Sequence, residues 1–192
     1  MRIIKARDYE DVSRKAANII FSVMTEKPDC VMGLATGSSP LGIYKELVRH
    51  YQEGELDFSR VTTVNLDEYR GLDREDPQSY AYYMRENFFS KVNTRLEKTF
   101  LRVDLAESTI EANARFFESQ DQVPTQAYTM GIQSIMSAKR ILMVANGKEK
   151  ARILKQAFQG PVTPQVPASI LQLHPQVILV ADEEALSEME NC

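Results

Sequence analysis

The 192-residue sequence has little cysteine or histidine and no tryptophan. Its two cysteines, Cys30 and Cys192, are far apart, which excludes a disulfide framework and is typical of free thiols in a cytoplasmic protein. Its two histidines, His50 and His174, have no metal-ligating partner at zinc-site spacing along the sequence. We therefore expect neither a structural disulfide nor a bound metal.

Long hydrophobic runs and an excess of one charge are also lacking. The 23 basic and 27 acidic side chains give a net charge of −4 without a basic block, so we expect no nucleic-acid partner. No apolar segment has the length of a membrane span, so we expect no membrane partner. The apolar run within residues 1–5 is too short for a signal peptide and is interrupted by charged residues. With 43% hydrophobic residues, the chain is predicted to fold as one globular domain over residues 1–192.

Apolar runs typical of buried strands alternate with amphipathic segments typical of helices. Strands are predicted at 2–5, 30–35, 60–66, 140–145 and 176–181, with a shorter one at 128–132. Helices are predicted after a cap at Asp8 and at 41–51, 79–89, 109–117, 148–158 and 183–190. This alternation predicts an α/β fold with an open, mostly parallel, Rossmann-like sheet and helices on both faces. We assign the aromatic residues of the helix at 79–89 to the core or to a subunit interface. The second assignment is compatible with a homo-oligomer.

The first candidate site is the loop that follows the strand at 30–35. Its residues Thr36, Gly37, Ser38 and Ser39 are small, and those that follow have helical periodicity. In such a strand–loop–helix junction the exposed N–H groups, the hydroxyls and the helix dipole all favour a bound phosphate. A glycine also lets the backbone approach the anion closely. Small residues equally suit an ordinary turn, and the loop lacks the Gly-Lys-Ser/Thr ending of a P-loop.

The second candidate site is the carboxylate pair Asp67 and Glu68, directly after the strand at 60–66. Ligands of open parallel sheets bind beyond the carboxyl ends of the strands. A carboxylate buried there abstracts a proton next to a carbonyl when burial raises its pKa toward neutrality. The alternative is that Asp67 only caps the loop that follows it.

The third candidate site follows the strand at 140–145, where Asn146 and Gly147 precede two lysines, Lys148 and Lys150. A lysine in the first turn of a helix opposes the helix dipole, so a nearby anion would explain it. Lys150 is therefore a candidate point charge for the same phosphate. A solvated charged face explains each lysine separately as well.

The segments of the first two candidate sites, together with four others, resemble the glucosamine-6-phosphate deaminase family. The matching segments are 33–40, 65–69, 76–80, 111–117, 122–124 and 171–175, and they run in family order over almost the whole chain. The resemblance implies conversion of glucosamine 6-phosphate and water into fructose 6-phosphate and ammonia, without a redox or organic cofactor. It implies that Asp67 is the base that moves a proton between C2 and C1 of the sugar. It also implies that hexosamine or hexose 6-phosphates bind to a phosphate clamp formed by Thr36, Gly37, Ser38, Ser39 and Lys150.

The sequence departs from this family in one segment. Members have a strand end of the form G-x-G-x-x-G-H-I-x-F-N-E-P, whose Asp or Asn, His and Glu open the sugar ring. Here Leu101 runs directly into Arg102, and no such motif occurs in the chain. We therefore predict that a helix, a central strand and the ring-opening loop are deleted, with a junction at 101–102. Because no turn-forming residue lies between 99 and 103, we also expect an interrupted sheet with exposed edges.

Three functional hypotheses follow. The leading one is an enzyme of the glucosamine-6-phosphate deaminase type whose turnover is impaired by the missing segment. The alternative is a non-catalytic phosphosugar-binding module, similar to the effector domains of sugar-responsive transcription regulators. The third is a 6-phosphogluconolactonase, and it is disfavoured because that family usually has Asp-Glu-Arg where this chain has Asp67, Glu68 and Tyr69.

Overall fold

The computed structural model describes residues 1–96, 101–104 and 123–190. The strands in these ranges are β1 (Arg2–Ala6), β2 (Val31–Leu34), β3 (Thr62–Asn65), β4 (Asp67–Tyr69), β5 (Arg95–Leu96), β6 (Leu101–Asp104), β7 (Gln126–Thr129), β8 (Ile141–Ala145) and β9 (Val177–Asp182). The α-helices are α1 (Tyr9–Glu26), α2 (Leu41–Gln52), α3 (Tyr80–Asn87), α4 (Ile132–Met136) and α5 (Ala151–Gln159). Short 3₁₀ helices cover Phe89–Lys91, Lys148–Lys150 and Pro167–Leu173. Within the described ranges, no helix combines the length and the apolar character that a membrane crossing requires.

The chain divides into two compact units. Unit 1 comprises Met1–Ser22, Ser38–Leu47 and Ile132–Cys192, and unit 2 comprises Val23–Gly37 and Val48–Gly131. The expectation of one domain over residues 1–192 stays a prediction.

Unit 1 contains a parallel sheet in the order β1–β9–β8. The central strand β9 is buried on both faces because alternate side chains point to opposite sides of a strand. Leu179 packs in a cluster with Leu154 and Phe158 of α5. Its neighbour Val180 packs instead with Val12 of α1. Helices therefore cover both faces of this sheet, as the sequence pattern predicts.

Unit 2 contains two three-stranded sheets, a parallel one in the order β2–β3–β5 and an antiparallel one in the order β4–β7–β6. Phe58 and Phe88 of this unit are fully buried, with their rings edge to face and their centroids 5.3 Å apart. The α/β class with a parallel sheet and helices is confirmed, whereas the antiparallel sheet was not predicted.

Two local predictions differ from the structure, and a third is not tested by it. The strand predicted to end before Asp67 ends at Asn65, and Asp67 itself begins a new strand, β4. The strand predicted at 128–132 is shifted toward the N-terminus, and Ile132 begins α4. The helix predicted at 109–117 lies outside the described residues.

The helix predicted at 183–190 is wrong, because this segment forms a series of turns. The carboxylate of Asp182 accepts a hydrogen bond from the Ala185 N–H at 2.8 Å. Farther along, the Met189 N–H bonds the Leu186 carbonyl three residues back at 2.9 Å. Buried side chains at Ala185, Leu186 and Met189 anchor these turns against the unit 1 core, so an amphipathic pattern arises without a continuous helix.

The junction predicted at 101–102 lies inside β6. This strand pairs with β7 in antiparallel register, from Leu101 opposite Thr129 to Asp104 opposite Gln126. An extended strand needs no turn residue, so the lack of glycine, proline and asparagine at this position has a local structural explanation. Deletion of a central strand stays a prediction.

Gly42, near the start of α2, lies where a side chain has no room. A Cβ atom at this position would lie 2.1 Å from the Ser13 Oγ and 3.1 Å from the Tyr9 hydroxyl oxygen of α1. Replacement of a helical glycine by alanine ordinarily stabilises a protein by up to about 1 kcal/mol. We expect Gly42→Ala instead to destabilise this protein by about 1–3 kcal/mol, because the overpacked contact must open. Urea unfolding measures the difference.

The control is the pair Ser13→Gly and Gly42→Ala in a double-mutant cycle. Removal of the Ser13 side chain opens the space, so the double variant is expected to regain part of the stability lost by Gly42→Ala. Additive losses would show that the contact between these two positions is not the cause.

Candidate active site

The chain changes sheets at Leu66, directly before Asp67. The Leu66 N–H extends the parallel sheet by donating to the Leu34 carbonyl at 3.0 Å. Its own carbonyl accepts from the Met130 N–H at 2.7 Å, at the end of the antiparallel sheet. Asp67 therefore begins β4 at the point where two sheets of unit 2 diverge, a typical position for a ligand-binding residue of an α/β fold.

The Asp67 carboxyl group is half-buried. No side chain or N–H among the described residues donates a hydrogen bond to it. Burial raises the pKa of Asp67 from 3.8 to about 6, and the negative charge of the adjacent Glu68 adds to the increase. Asp67 is thus mostly ionised at neutral pH, yet it binds a proton much more strongly than an ordinary aspartate. These are the properties of a general base.

The Glu68 carboxylate has a different role. One oxygen accepts from the Tyr69 N–H at 2.8 Å and from the Tyr80 N–H at 2.9 Å. The other accepts from the Ala81 N–H at 2.7 Å. Two of these donors are the otherwise unpaired N–H groups at the start of α3, where a negative charge is favourable. Of the two adjacent carboxylates, Glu68 caps a helix and Asp67 remains available for chemistry.

Tyr80, the first residue of α3, links Asp67 to the loop at Thr36. Its hydroxyl makes side-chain hydrogen bonds with Tyr69 and Thr36. Burial is the main cause of the raised pKa of Tyr80, followed by the bond with Tyr69 and the charge of Asp67. The Tyr80 phenol therefore stays protonated. The ring of Tyr80 also packs against that of the buried Tyr69, with centroids 4.7 Å apart.

Gly37 has a φ angle of 102°, a conformation that favours glycine over any residue with a side chain. A Cβ atom there would meet no neighbour, so backbone conformation alone selects glycine. The Gly37 carbonyl accepts a hydrogen bond from the Tyr83 hydroxyl at 2.5 Å. Thr36 and Gly37 are thus both hydrogen-bonded to tyrosines of α3, all within unit 2.

The second half of the loop belongs to unit 1. The Tyr9 hydroxyl donates to the Ser38 carbonyl at 2.9 Å and accepts from the Gly42 N–H at 2.7 Å. The sequence pattern predicts that N–H groups at the start of α2 bind a phosphate. One of them, the Gly42 N–H, is already bonded to Tyr9. The hydroxyl of Ser39 donates to Asn146 Oδ1 at 2.9 Å.

The loop after β8, also in unit 1, is held by a buried carboxylate. Both oxygens of Asp182 lie within 3.1 Å of the Gly147 N–H. The 3₁₀ helix Lys148–Lys150 follows, and its last residue, Lys150, is exposed. No carboxylate among the described residues pairs with the Lys150 ammonium group. Within the described part of the chain, Lys150 is thus a cation without a carboxylate partner, four residues beyond the asparagine that binds Ser39.

The histidines occupy structural positions. His174 is buried, and its Nδ1 accepts from the Gln176 N–H at 3.1 Å, so Nε2 has the proton and donates to the Ala138 carbonyl at 2.8 Å. His50 lies beside Glu53 and Glu55, with potential ligand atoms within 4.8 Å of one another, a proximity that sequence spacing did not suggest.

The Arg49 guanidinium already bonds two members of this group, His50 at 3.2 Å and Glu53 at 2.5 Å. The cluster is therefore an ion-pair network that includes its own cation.

The class of protein follows from these features. The chain is an α/β protein with a half-buried carboxylate that has no hydrogen-bond donor among the described residues, and with a small-residue loop after a parallel strand. It belongs to the family described as glucosamine-6-phosphate isomerases/6-phosphogluconolactonase, whose model matches residues 6–120.

Two relatives show how far this similarity extends. The chain is 44% identical to the glucosamine-6-phosphate deaminase of Lachnoclostridium phytofermentans, over 94% of this chain and 98% of that protein. It is 41% identical to the enzyme of the same name from Halothermothrix orenii, over 97% of this chain and 99% of that one. The first alignment spans 232 positions against the 192 residues of this chain, so roughly 40 or more aligned positions have no counterpart here.

Solved structures agree with this assignment. A monomeric glucosamine-6-phosphate deaminase, described as a missing link of the NagB superfamily, superposes with a TM-score of 0.93 at 35% identity, over 98% of this chain and all of that one. A 6-phosphogluconolactonase from Leishmania guyanensis superposes with a TM-score of 0.71 at 16% identity, over the whole of this chain and 98% of that one, which indicates a shared fold alone.

Proposed function

We propose that this protein catalyses the conversion of glucosamine 6-phosphate and water into fructose 6-phosphate and ammonia. The observation that carries this proposal is the half-buried Asp67 carboxyl group with a pKa of about 6 and no hydrogen-bond donor among the described residues. Isomerisation requires removal of the proton at C2 of the open-chain sugar and its return at C1. A carboxylate of this kind suits both steps, because it accepts and releases a proton near neutral pH.

A labelled substrate tests this function. When the protein is incubated with glucosamine 6-phosphate deuterated at C2, the deuterium is expected to leave C2 for C1 of the product or for water. Proton NMR detects its replacement. Retention of deuterium at C2 at high protein concentration would contradict the proposal.

Phosphate recognition is proposed for Thr36, Gly37, Ser38, Ser39 and Lys150. Several features support this role: the positive φ of Gly37, the hydroxyl of the exposed Ser38, and the exposed Lys150 ammonium group, which no carboxylate of the described residues pairs. A hexosamine or hexose 6-phosphate is the corresponding ligand. The reaction is a proton transfer followed by hydrolysis, so it needs no redox cofactor. We propose a cytoplasmic role in amino-sugar catabolism, including that of N-acetylglucosamine, in line with the free, buried thiol of Cys30.

The alternative function is a phosphosugar-binding module without catalysis. It differs from the enzyme in one measurable respect, since it would bind glucosamine 6-phosphate and leave the C2 deuterium in place. The lactonase hypothesis gains no specific support. Tyr69, at the position where that family usually has arginine, is 4% exposed and packs on Tyr80.

The phosphate site leads to a prediction for Lys150→Ala. We expect this variant to bind fructose 6-phosphate about 10- to 100-fold more weakly, because a charge-assisted hydrogen bond contributes about 1.5–3 kcal/mol. Binding of unphosphorylated fructose is expected to be unchanged. Isothermal calorimetry with both sugars measures the preference for the phosphate.

The matched control is Lys148→Ala, which removes an equal charge from the same 3₁₀ helix. Lys148 is also exposed, so this variant separates a specific contact from a general loss of positive charge. Equal losses in the two variants, or equal affinity of the wild type for both sugars, would refute the phosphate contact.

A further inference from the structure

The hydroxyl of Tyr83 makes a contact that none of the roles above explains. It donates to the Gly37 carbonyl at 2.5 Å, across 46 residues of sequence. Tyr83 itself is held firmly in α3. Its N–H donates to the Ser79 carbonyl at 3.0 Å, and its carbonyl accepts from the Asn87 side-chain amide at 2.8 Å. Because Glu68 caps the same helix, the hydroxyl is presented to the loop from a fixed position.

This contact determines the direction of the next N–H group. The peptide bond between Gly37 and Ser38 is trans and planar, so its N–H points opposite to its carbonyl. Since Tyr83 binds the carbonyl, the Ser38 N–H is directed away from Tyr83. No acceptor among the described residues bonds this N–H. The result is an exposed donor with a fixed orientation.

We propose that Tyr83 is a positioning residue for phosphate recognition: it fixes the Gly37–Ser38 peptide so that the Ser38 N–H donates to the phosphate of the substrate. This inference rests on the proposed function for the identity of the sugar. Gly37 has no side chain to restrict its backbone, and a peptide next to a glycine rotates easily. Without the Tyr83 hydroxyl, the donor loses its fixed direction.

Tyr83→Phe removes only the hydroxyl, and Tyr82→Phe is its matched control. The Tyr82 ring lies under the Arg85 guanidinium on the same helix, 5.1 Å from it, so this variant makes the same chemical change one residue away from Tyr83. In the C2-deuterium assay we expect Tyr83→Phe to raise KM for glucosamine 6-phosphate about tenfold, with kcat changed less than about twofold. Tyr82→Phe is expected to retain both constants. A wild-type KM in Tyr83→Phe, or an equal fall of kcat in both variants, would overturn the inference.

A second measurement separates this inference from the proposed function. Inorganic phosphate is titrated into ¹⁵N-labelled protein, and the amide resonance of Ser38 is followed. Wild type and Tyr82→Phe are expected to show a saturable shift, whereas Tyr83→Phe is expected to need about tenfold more phosphate. A Ser38 resonance that does not respond in the wild type would overturn the inference, even if deuterium leaves C2. A normal response without deuterium loss would support the inference and contradict the enzymatic function.

Discussion

Replacement of Asp67 by asparagine is expected to lower the rate of C2-deuterium loss by about 10²–10⁴-fold, the usual contribution of a general base. Asparagine has nearly the same size but cannot accept the proton. The pKa of about 6 for Asp67 arises from burial first and from the charge of Glu68 second, and both causes are properties of the site rather than of the substrate. Proton NMR of the labelled sugar measures the effect.

Asp73→Asn provides the control for this variant. It makes the same chemical change in an exposed turn of the same unit, where Asp73 accepts a hydrogen bond from the Glu75 N–H at 2.9 Å. It is expected to leave the rate unchanged. Calorimetric binding of fructose 6-phosphate to Asp67→Asn shows whether the site is still formed. An Asp67→Asn protein that binds the sugar and exchanges the deuterium at the wild-type rate would eliminate Asp67 as the base.

Ammonia release by the wild-type chain is expected to reach a rate that no longer increases with protein concentration. The base requires an open-chain sugar, and the chain has no Gly-rich His/Glu segment of the kind that opens the ring in the family it resembles. Spontaneous opening in solution then supplies the substrate. Once the protein consumes the open form as fast as it appears, additional protein has no effect. The measurement is the initial rate of ammonia formation over a 1,000-fold range of protein concentration, on the order of nanomolar to micromolar.

A relative that contains the ring-opening segment is the reference for this experiment. Its rate is expected to remain proportional to enzyme concentration throughout, because the enzyme opens the ring itself. Proportionality for the 192-residue chain as well would mean that another group has taken over ring opening, and the predicted deletion would then have no catalytic consequence.

The sequence was sufficient for the features that depend on local pattern. The β-branched run at 60–66 predicted a strand, and the structure has β3 at Thr62–Asn65, whereas the role of Asp67 taken from the family motif stays a prediction. Asp8 was predicted to cap α1, and its carboxylate accepts from the Asp11 N–H at 2.8 Å. These features depend on neighbouring residues, so periodicity and capping rules find them.

The sequence was insufficient for features that depend on contacts between distant residues. Tyr80 and Tyr83 were assigned with other aromatic residues to the core or an interface, yet their hydroxyls bond the loop at Thr36 and Gly37. Tyr80 and Tyr83 lie three residues apart, about one helical turn, in the helix that follows the Ser79 cap. This spacing was the one sign in the sequence that both side chains point to the same side of the helix. Likewise, nothing local distinguishes Asp67 from Glu68. The two roles separate only because Glu68 reaches the start of α3, twelve residues away.

The central claim is that Asp67 acts as a base with a raised pKa, and the pH dependence of C2-deuterium loss tests it most directly. The assay uses a low protein concentration, at which the open-chain sugar stays at equilibrium. Only ionised Asp67 accepts a proton, so the rate is expected to level off above about pH 6 and to fall about tenfold per pH unit below it. The midpoint is the pH at which the rate is half of its plateau value. In Glu68→Gln the adjacent negative charge is lost, so we expect this midpoint to move to lower pH, while burial keeps it above 3.8. A wild-type midpoint near 3.8, or a rate independent of pH across this range, would contradict the account.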